Sequence, residues 1–89
     1  MVRWHVIFRG RVQGVGFRQT CCEYACPNSI RGWVRNRDDG TVELVGEGSE
    51  RDLHAFVRDV ALNTFGEVSD KQLTEEKASG EFHDFSVRF

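Results

Sequence analysis

The sequence predicts an α+β sandwich, an antiparallel sheet with two helices packed on one of its faces. Three observations carry that expectation. Strand-like alternation occurs near both ends of the chain, two other stretches hold apolar residues at helical spacing, and an Asp-Gly turn joins two further strand-like runs. At 89 residues the chain is expected to form one domain, residues 1–89, with no room for a second core. Its apolar content of 39%, with seven phenylalanines and two tryptophans, is enough to fill a core of that size.

At the N-terminus, Val2, Trp4, Val6 and Phe8 alternate with Arg3, His5 and Arg9, the pattern of a strand with one apolar face. Ile7 interrupts the polar side, so that side should be partly covered, with His5 an ordinary strand residue on it. A glycine-bearing stretch follows, Gly10-Arg11-Val12-Gln13-Gly14-Val15-Gly16-Phe17-Arg18. From there Phe17, Cys21, Tyr24 and Ala25 fall on one helical stripe, which makes Cys21 a core residue. Pro27 disfavours helical geometry at Cys26, so the helix should end near Ala25 or Cys26. Asn28 or Ser29 must then turn the chain without a glycine.

Ile30 to Asn36 and Thr41 to Gly46 read as the next two strands, joined through Arg37-Asp38-Asp39-Gly40. Ser49 is a good N-cap, with Asp52 in the capping-box position. Leu53, Phe56, Val57, Val60 and Ala61 then give an amphipathic helix to about Asn63, with His54 off the stripe and expected at the surface. Ser69 to Lys77 has weak strand character, its core contribution coming chiefly from Val68 and Leu73. After a turn at Ala78-Ser79-Gly80-Glu81, Phe85, Val87 and Phe89 alternate with Ser86 and Arg88 in a last strand. The order βαββαβ plus a short extra C-terminal strand is that of a ferredoxin-like sandwich.

The loop between first strand and first helix has a functional reading. Glycines let backbone N–H groups converge, and a helix start adds unpaired donors and the positive end of a dipole. Arg18 adds a planar fork of donors. Together they would cradle a tetrahedral oxyanion such as phosphate. The plain reading is a connection with a solvated arginine beside it, and the spacing matches neither the G-x-x-x-x-G-K-[ST] nor the G-x-G-x-x-G loop. Asn36 also has two readings, a turn residue bonded to local backbone or a group at a site. The adjoining Asp38 and Asp39 are read as solvated turn residues rather than a catalytic pair. No His, Asp, Glu, Cys or Lys lies within residues 10–18, so the loop holds no nucleophile or general base of its own.

Two longer patterns narrow the choice. Gly10-x-Val12-Gln13-Gly14-Val15-x-Phe17-Arg18 and Gly32-x-Val34-x-Asn36-x-x-Asp39-Gly40-x-Val42-Glu43 resemble the two signature motifs of the acylphosphatase family, and the resemblance extends over nearly the whole chain. It implies an acylphosphatase, hydrolysing small acyl phosphates such as acetyl, benzoyl or carbamoyl phosphate without a cofactor. Arg18 would bind the phosphate together with the backbone of Gln13, Gly14, Val15, Gly16 and Phe17, and Asn36 would position the attacking water. The chain departs from the family at Pro27-Asn28-Ser29-Ile30, where a longer helix and a Leu-Gly-Leu-like segment are usual. It departs again at Thr64-Phe65-Gly66, which lacks a common Gly-Pro pair in a connection expected to lie away from the chemistry.

Composition excludes other classes. A net charge of −2 argues against a large basic surface for nucleic acid. The start Met1-Val2-Arg3-Trp4-His5 has no signal-peptide apolar region and no run approaches a membrane span, so a cytoplasmic monomer is expected. Cys21, Cys22 and Cys26 cluster in one helix, poorly placed to bridge one another. Metal ligation with His5, His54 or His83 fits no common zinc spacing, and free thiols are the better reading. Two alternatives remain: an RNA-binding module, hinted at by Trp33 between Arg31 and Arg35, and a non-catalytic module binding carbamoyl phosphate, like the related domain of hydrogenase-maturation carbamoyltransferases.

Overall fold

The computed structural model describes residues 1–89. In chain order its elements are β1 (Val2–Arg11), α1 (Phe17–Ala25), β2 (Arg31–Asn36), β3 (Val42–Gly48), α2 (Glu50–Asn63), β4 (Glu67–Lys77) and β5 (Phe85–Val87). The five strands form one sheet ordered β4-β1-β3-β2-β5. β1 pairs antiparallel with β3 and β4, and β2 antiparallel with β3. β5 joins the edge parallel to β2, so the sheet is mixed where a wholly antiparallel one was expected. The direction follows from where the chain crosses. It leaves β4 at the sheet end where β2 begins, passes beneath that end, and enters β5 running alongside β2.

Residues directly opposite in a sheet share a face. Val6 lies between Leu44 and Leu73, and Val34 pairs with Leu44, which sets one apolar face. Trp4, Val6, Phe8, Val34, Val42 and Leu44 on that face pack with Phe17 and Cys21 of α1 and Leu53, Phe56 and Val60 of α2. On the other face Ile7 and Val45 are buried, as the interrupted polar pattern implied. α2 starts at the cap its sequence predicts. Ser49 Oγ accepts from Asp52 N at 3.0 Å. At the end of α1 it is Ser29 that takes the left-handed turn, at φ 59°. Asn28 instead donates to Tyr24 O at 2.9 Å and Asp59 Oδ2 at 3.2 Å, tying the two helices together.

β4 is longer than its weak pattern suggested. It is an edge strand with most side chains in solvent, so backbone pairing to β1 defines it more than burial does. No helix is long and apolar enough to cross a membrane. Cys21 is buried, Cys22 half-buried and Cys26 exposed, all three as free thiols. Burial pushes the Cys21 thiol far above its ordinary range, which keeps it protonated and unreactive.

Since β1, β2 and β5 all run one way and β3 the other, the final residues of β1, β2 and β5 gather at one end of the sheet with the start of β3. That end carries both motifs.

Candidate active site

The loop leaving β1 is shaped by two glycines in the left-handed region, Gly14 at φ 72° and Gly16 at φ 73°. A side chain at either would meet open space, so it is the backbone angle that requires glycine there. Gly16 is the N-cap of α1, and no side chain caps the helix. The first turn contains no acidic residue to quench the dipole. No hydrogen bond within the protein uses the N–H groups of residues 13 to 16. Helix geometry leaves the first-turn N–H groups free as well. The result is a run of backbone donors without partners in the protein, beside a cavity that Gly14, Gly16 and Phe17 line.

Buried contacts hold this loop from behind. Phe17 packs edge-on against Phe8 at 5.1 Å between ring centroids, fixing the helix start on β1. Thr20 donates twice to Gly16 O, from its N–H at 3.0 Å and its hydroxyl at 3.1 Å. Gly66 lies against the base of the loop, where a Cβ would overlap Arg11 O and come within 2.7 Å of Val15 Cγ2. The connection after α2 therefore backs the loop directly, nearer the site than its sequence implied.

Arg18, one residue into α1, forms no hydrogen bond or ion pair with the protein; its guanidinium lies over the Phe89 ring, 5.3 Å from the centroid. Asn36 ends β2, and its Oδ1 is buried without any hydrogen-bond partner. Such an orphan is costly in a native interior and marks a place where a ligand or water belongs. Both residues line one cavity of about 270 Å³ with Gly14, Gly16, Val87 and Phe89. The fold thus brings the two motif residues together. No side-chain carboxylate, imidazole, thiol or amine lines this cavity.

Next to it, Arg37-Asp38-Asp39-Gly40 forms the turn between β2 and β3. Asp39 Oδ1 accepts from the Thr41 hydroxyl at 2.6 Å and from Thr41 N at 3.0 Å. Those bonds hold the Asp39 carboxyl below its ordinary range, as befits a turn residue rather than a proton donor. A larger cavity of about 670 Å³ opens at the opposite end of the sheet. It offers no orphaned polar group.

Two features escaped the sequence. Val87 and Phe89 line the site, a placement that depends on β5 pairing parallel with β2. The Gln13 side chain, assigned only a backbone role, donates to Arg37 O and Thr41 O at 2.8 Å each. No local pattern links a loop glutamine to a turn so far along the chain.

A family model described as acylphosphatase matches residues 4–87. The chain belongs to the acylphosphatase family. It is 42% identical to an acylphosphatase of Bacillus subtilis over 98% of this chain and 97% of that one. With an acylphosphatase of Pyrobaculum arsenaticum it shares 44% identity over 98% and 94% of the two chains. The crystal structure of acylphosphatase from Bacillus subtilis superposes with a TM-score of 0.94 at 41% identity, covering both chains fully. Both motifs fall within the matched residues, and the ferredoxin-like architecture with its short extra strand is that of the family.

Proposed function

We propose that this member of the acylphosphatase family hydrolyses the carboxyl–phosphate bond of small acyl phosphates, releasing carboxylate and inorganic phosphate, with Arg18 and Asn36 as its catalytic residues. Family membership over essentially the whole chain makes it a hydrolase of acyl phosphates. One observation carries the assignment of residues: an unpaired arginine and an asparagine whose buried carboxamide oxygen is orphaned line one cavity beside a loop of free N–H groups.

The chemistry asks for little else. A carboxylate is a good leaving group, so no general acid is needed at the leaving oxygen. The remaining tasks are to hold the phosphoryl oxygens, balance charge in the transition state, and aim a water in line. The backbone N–H groups from Gln13 to Phe17 and the Arg18 guanidinium perform the first two. Asn36 Oδ1 accepts a hydrogen bond from the attacking water and so orients its lone pair on phosphorus. With no side-chain nucleophile or base lining the cavity, water attacks directly and its proton passes to the substrate's own phosphate oxygen. The new P–O bond forms as the bond to the carboxylate breaks, and beyond the substrate and the water every group the scheme uses belongs to the protein.

The reading extends to a monomeric, cytoplasmic, single-domain protein that binds no nucleic acid, supported by the net charge of −2 and by three unbridged thiols. The test is benzoyl phosphate hydrolysis, wild type beside Arg18→Ala, with a metal chelator present. Turnover that survives chelation and falls at least about a thousandfold in the variant is expected. A folded wild-type protein that binds phosphate without turning over the substrate would instead mean that the cradle serves recognition.

A further inference from the structure

We propose that the Gln13 side chain is a positioning residue for the hydrolysis, holding the phosphate loop in register with Asn36; the inference rests on the mechanism above. The need for such a device comes from the strand order. β3 lies between β1 and β2, so the loop that follows β1 and the asparagine that ends β2 sit on strands that never touch. The ladder between β1 and β3 stops at Phe8↔Val42, and the one between β2 and β3 stops at Asn36↔Val42. Beyond Phe8, β1 continues paired only with β4 on its far side. The chain from Arg9 into the loop is therefore free of the ladder that fixes Asn36.

Gln13 crosses that gap. Its Nε2 donates one hydrogen to Arg37 O, in the residue that follows Asn36, and the other to Thr41 O, just before β3, each at 2.8 Å. These carbonyls stand on the two sides of the turn, and Arg37 N donates to the same Thr41 O at 2.9 Å. No other hydrogen bond joins residues 12–16 to residues 36–41. A terminal amide with two donor hydrogens is what the pair of carbonyls requires; a carboxylate of the same length has none to give. Gln13 thus uses its main-chain N–H for the cradle and its side chain to fix the distance from cradle to Asn36. In-line attack is sensitive to that distance, since misplacement by an ångström costs on the order of a hundredfold in rate.

The experiment pairs Gln13→Met, which keeps the length and loses both donors, with Gln13→Ala, each alone and combined with Asn36→Ala. For every folded variant, kcat for benzoyl phosphate and inhibition by inorganic phosphate are measured. Each Gln13 substitution should lower kcat by about ten- to a hundredfold while the phosphate inhibition constant moves less than about threefold. In the Asn36→Ala background the same change should cost less than about twofold more, because the group being positioned is already gone. A folded Gln13 variant with wild-type kcat, or a loss that multiplies in full with that of Asn36→Ala, would overturn the inference. If Asn36→Ala loses turnover and the Gln13 variants do not, the positioning role alone falls. If Asn36→Ala itself keeps wild-type kcat, the mechanism falls and takes this role with it.

Discussion

The two ends of the sheet treat polar groups in opposite ways. At the end where β1 and β2 finish, the N–H groups of residues 13 to 16 stay unused, Arg18 is unpaired, and Asn36 Oδ1 is buried and unsatisfied. At the other end, the carboxylate of Glu47 is buried and fully engaged. It accepts from Arg3 Nε, Ser79 N and the Ser79 hydroxyl on Oε2, and from Gly80 N on Oε1, over distances of 2.8 to 3.2 Å. Arg3 continues from there to Glu81 at 2.6 Å. This cluster clamps the connection that carries the chain from β4 across to β5. One end is saturated and holds the fold together; the other leaves donors and an acceptor open, which stability alone would not favour. Unused polar groups at a well-packed end are what a ligand site looks like before its ligand arrives.

Changes at the open end should damage chemistry and spare the fold. After Arg18→Ala, the largest effect is expected from Asn36→Ala, which should lower kcat by about a hundred- to a thousandfold while inhibition by inorganic phosphate shifts less than about threefold. Its thermal stability should stay the same or rise, because the substitution removes an orphaned buried acceptor. Steady-state kinetics beside a thermal melt would show this, and an unchanged kcat would take Asn36 out of the mechanism.

The saturated end should behave in reverse. Glu47→Gln should cost about 2 kcal/mol, on the order of 10 °C in Tm for a chain of this size, with kcat retained at low temperature. The effect should depend on pH. Burial works to raise the Glu47 carboxyl, but the Ser79 and Gly80 N–H groups and the Arg3 guanidinium outweigh it and hold the group below its ordinary range. A lowered folded value stabilises above the unfolded value, near 4.3, and that gain disappears as pH falls through the folded one. The gap in Tm between wild type and variant should therefore be full near pH 7 and shrink as pH drops below about 4. A gap that persisted at low pH would show that the charge is not what clamps the crossing.

The smallest effect is expected at Cys21, in the core behind the loop. Cys21→Ser should lose about 1 to 2 kcal/mol of stability and keep kcat within about twofold. A well-folded variant without activity would place this thiol in the site rather than behind it.

The same contrast separates what was legible in the sequence from what was not. Alternation around Val6, the stripes through Phe17 and Phe56, the Ser49 cap and the Asp39-Gly40 turn are local signals, and each produced the element it announced. Arg18 and Asn36 were readable because their motifs are local too. β4 was faint because an edge strand with solvated side chains is held by its backbone, which leaves little trace in side-chain pattern. Glu47 falls in Gly46-Glu47-Gly48-Ser49, which reads as a loop beyond the third strand, whereas β3 runs on to Gly48; burial by a crossing loop cannot be seen from neighbouring residues. The Gln13 bridge and the arrival of Val87 and Phe89 at the site depend on strand order, which no window of sequence contains.

The most direct test of the account is a titration of inorganic phosphate followed by amide NMR on nitrogen-labelled protein. The N–H signals of Gly14, Val15, Gly16 and Phe17, with the Arg18 side chain, should shift most and saturate together, while Ser79 and Gly80 at the clamped end stay fixed. Shifts centred on the larger cavity near Arg31 and His83, or none around the loop at saturating phosphate, would contradict it.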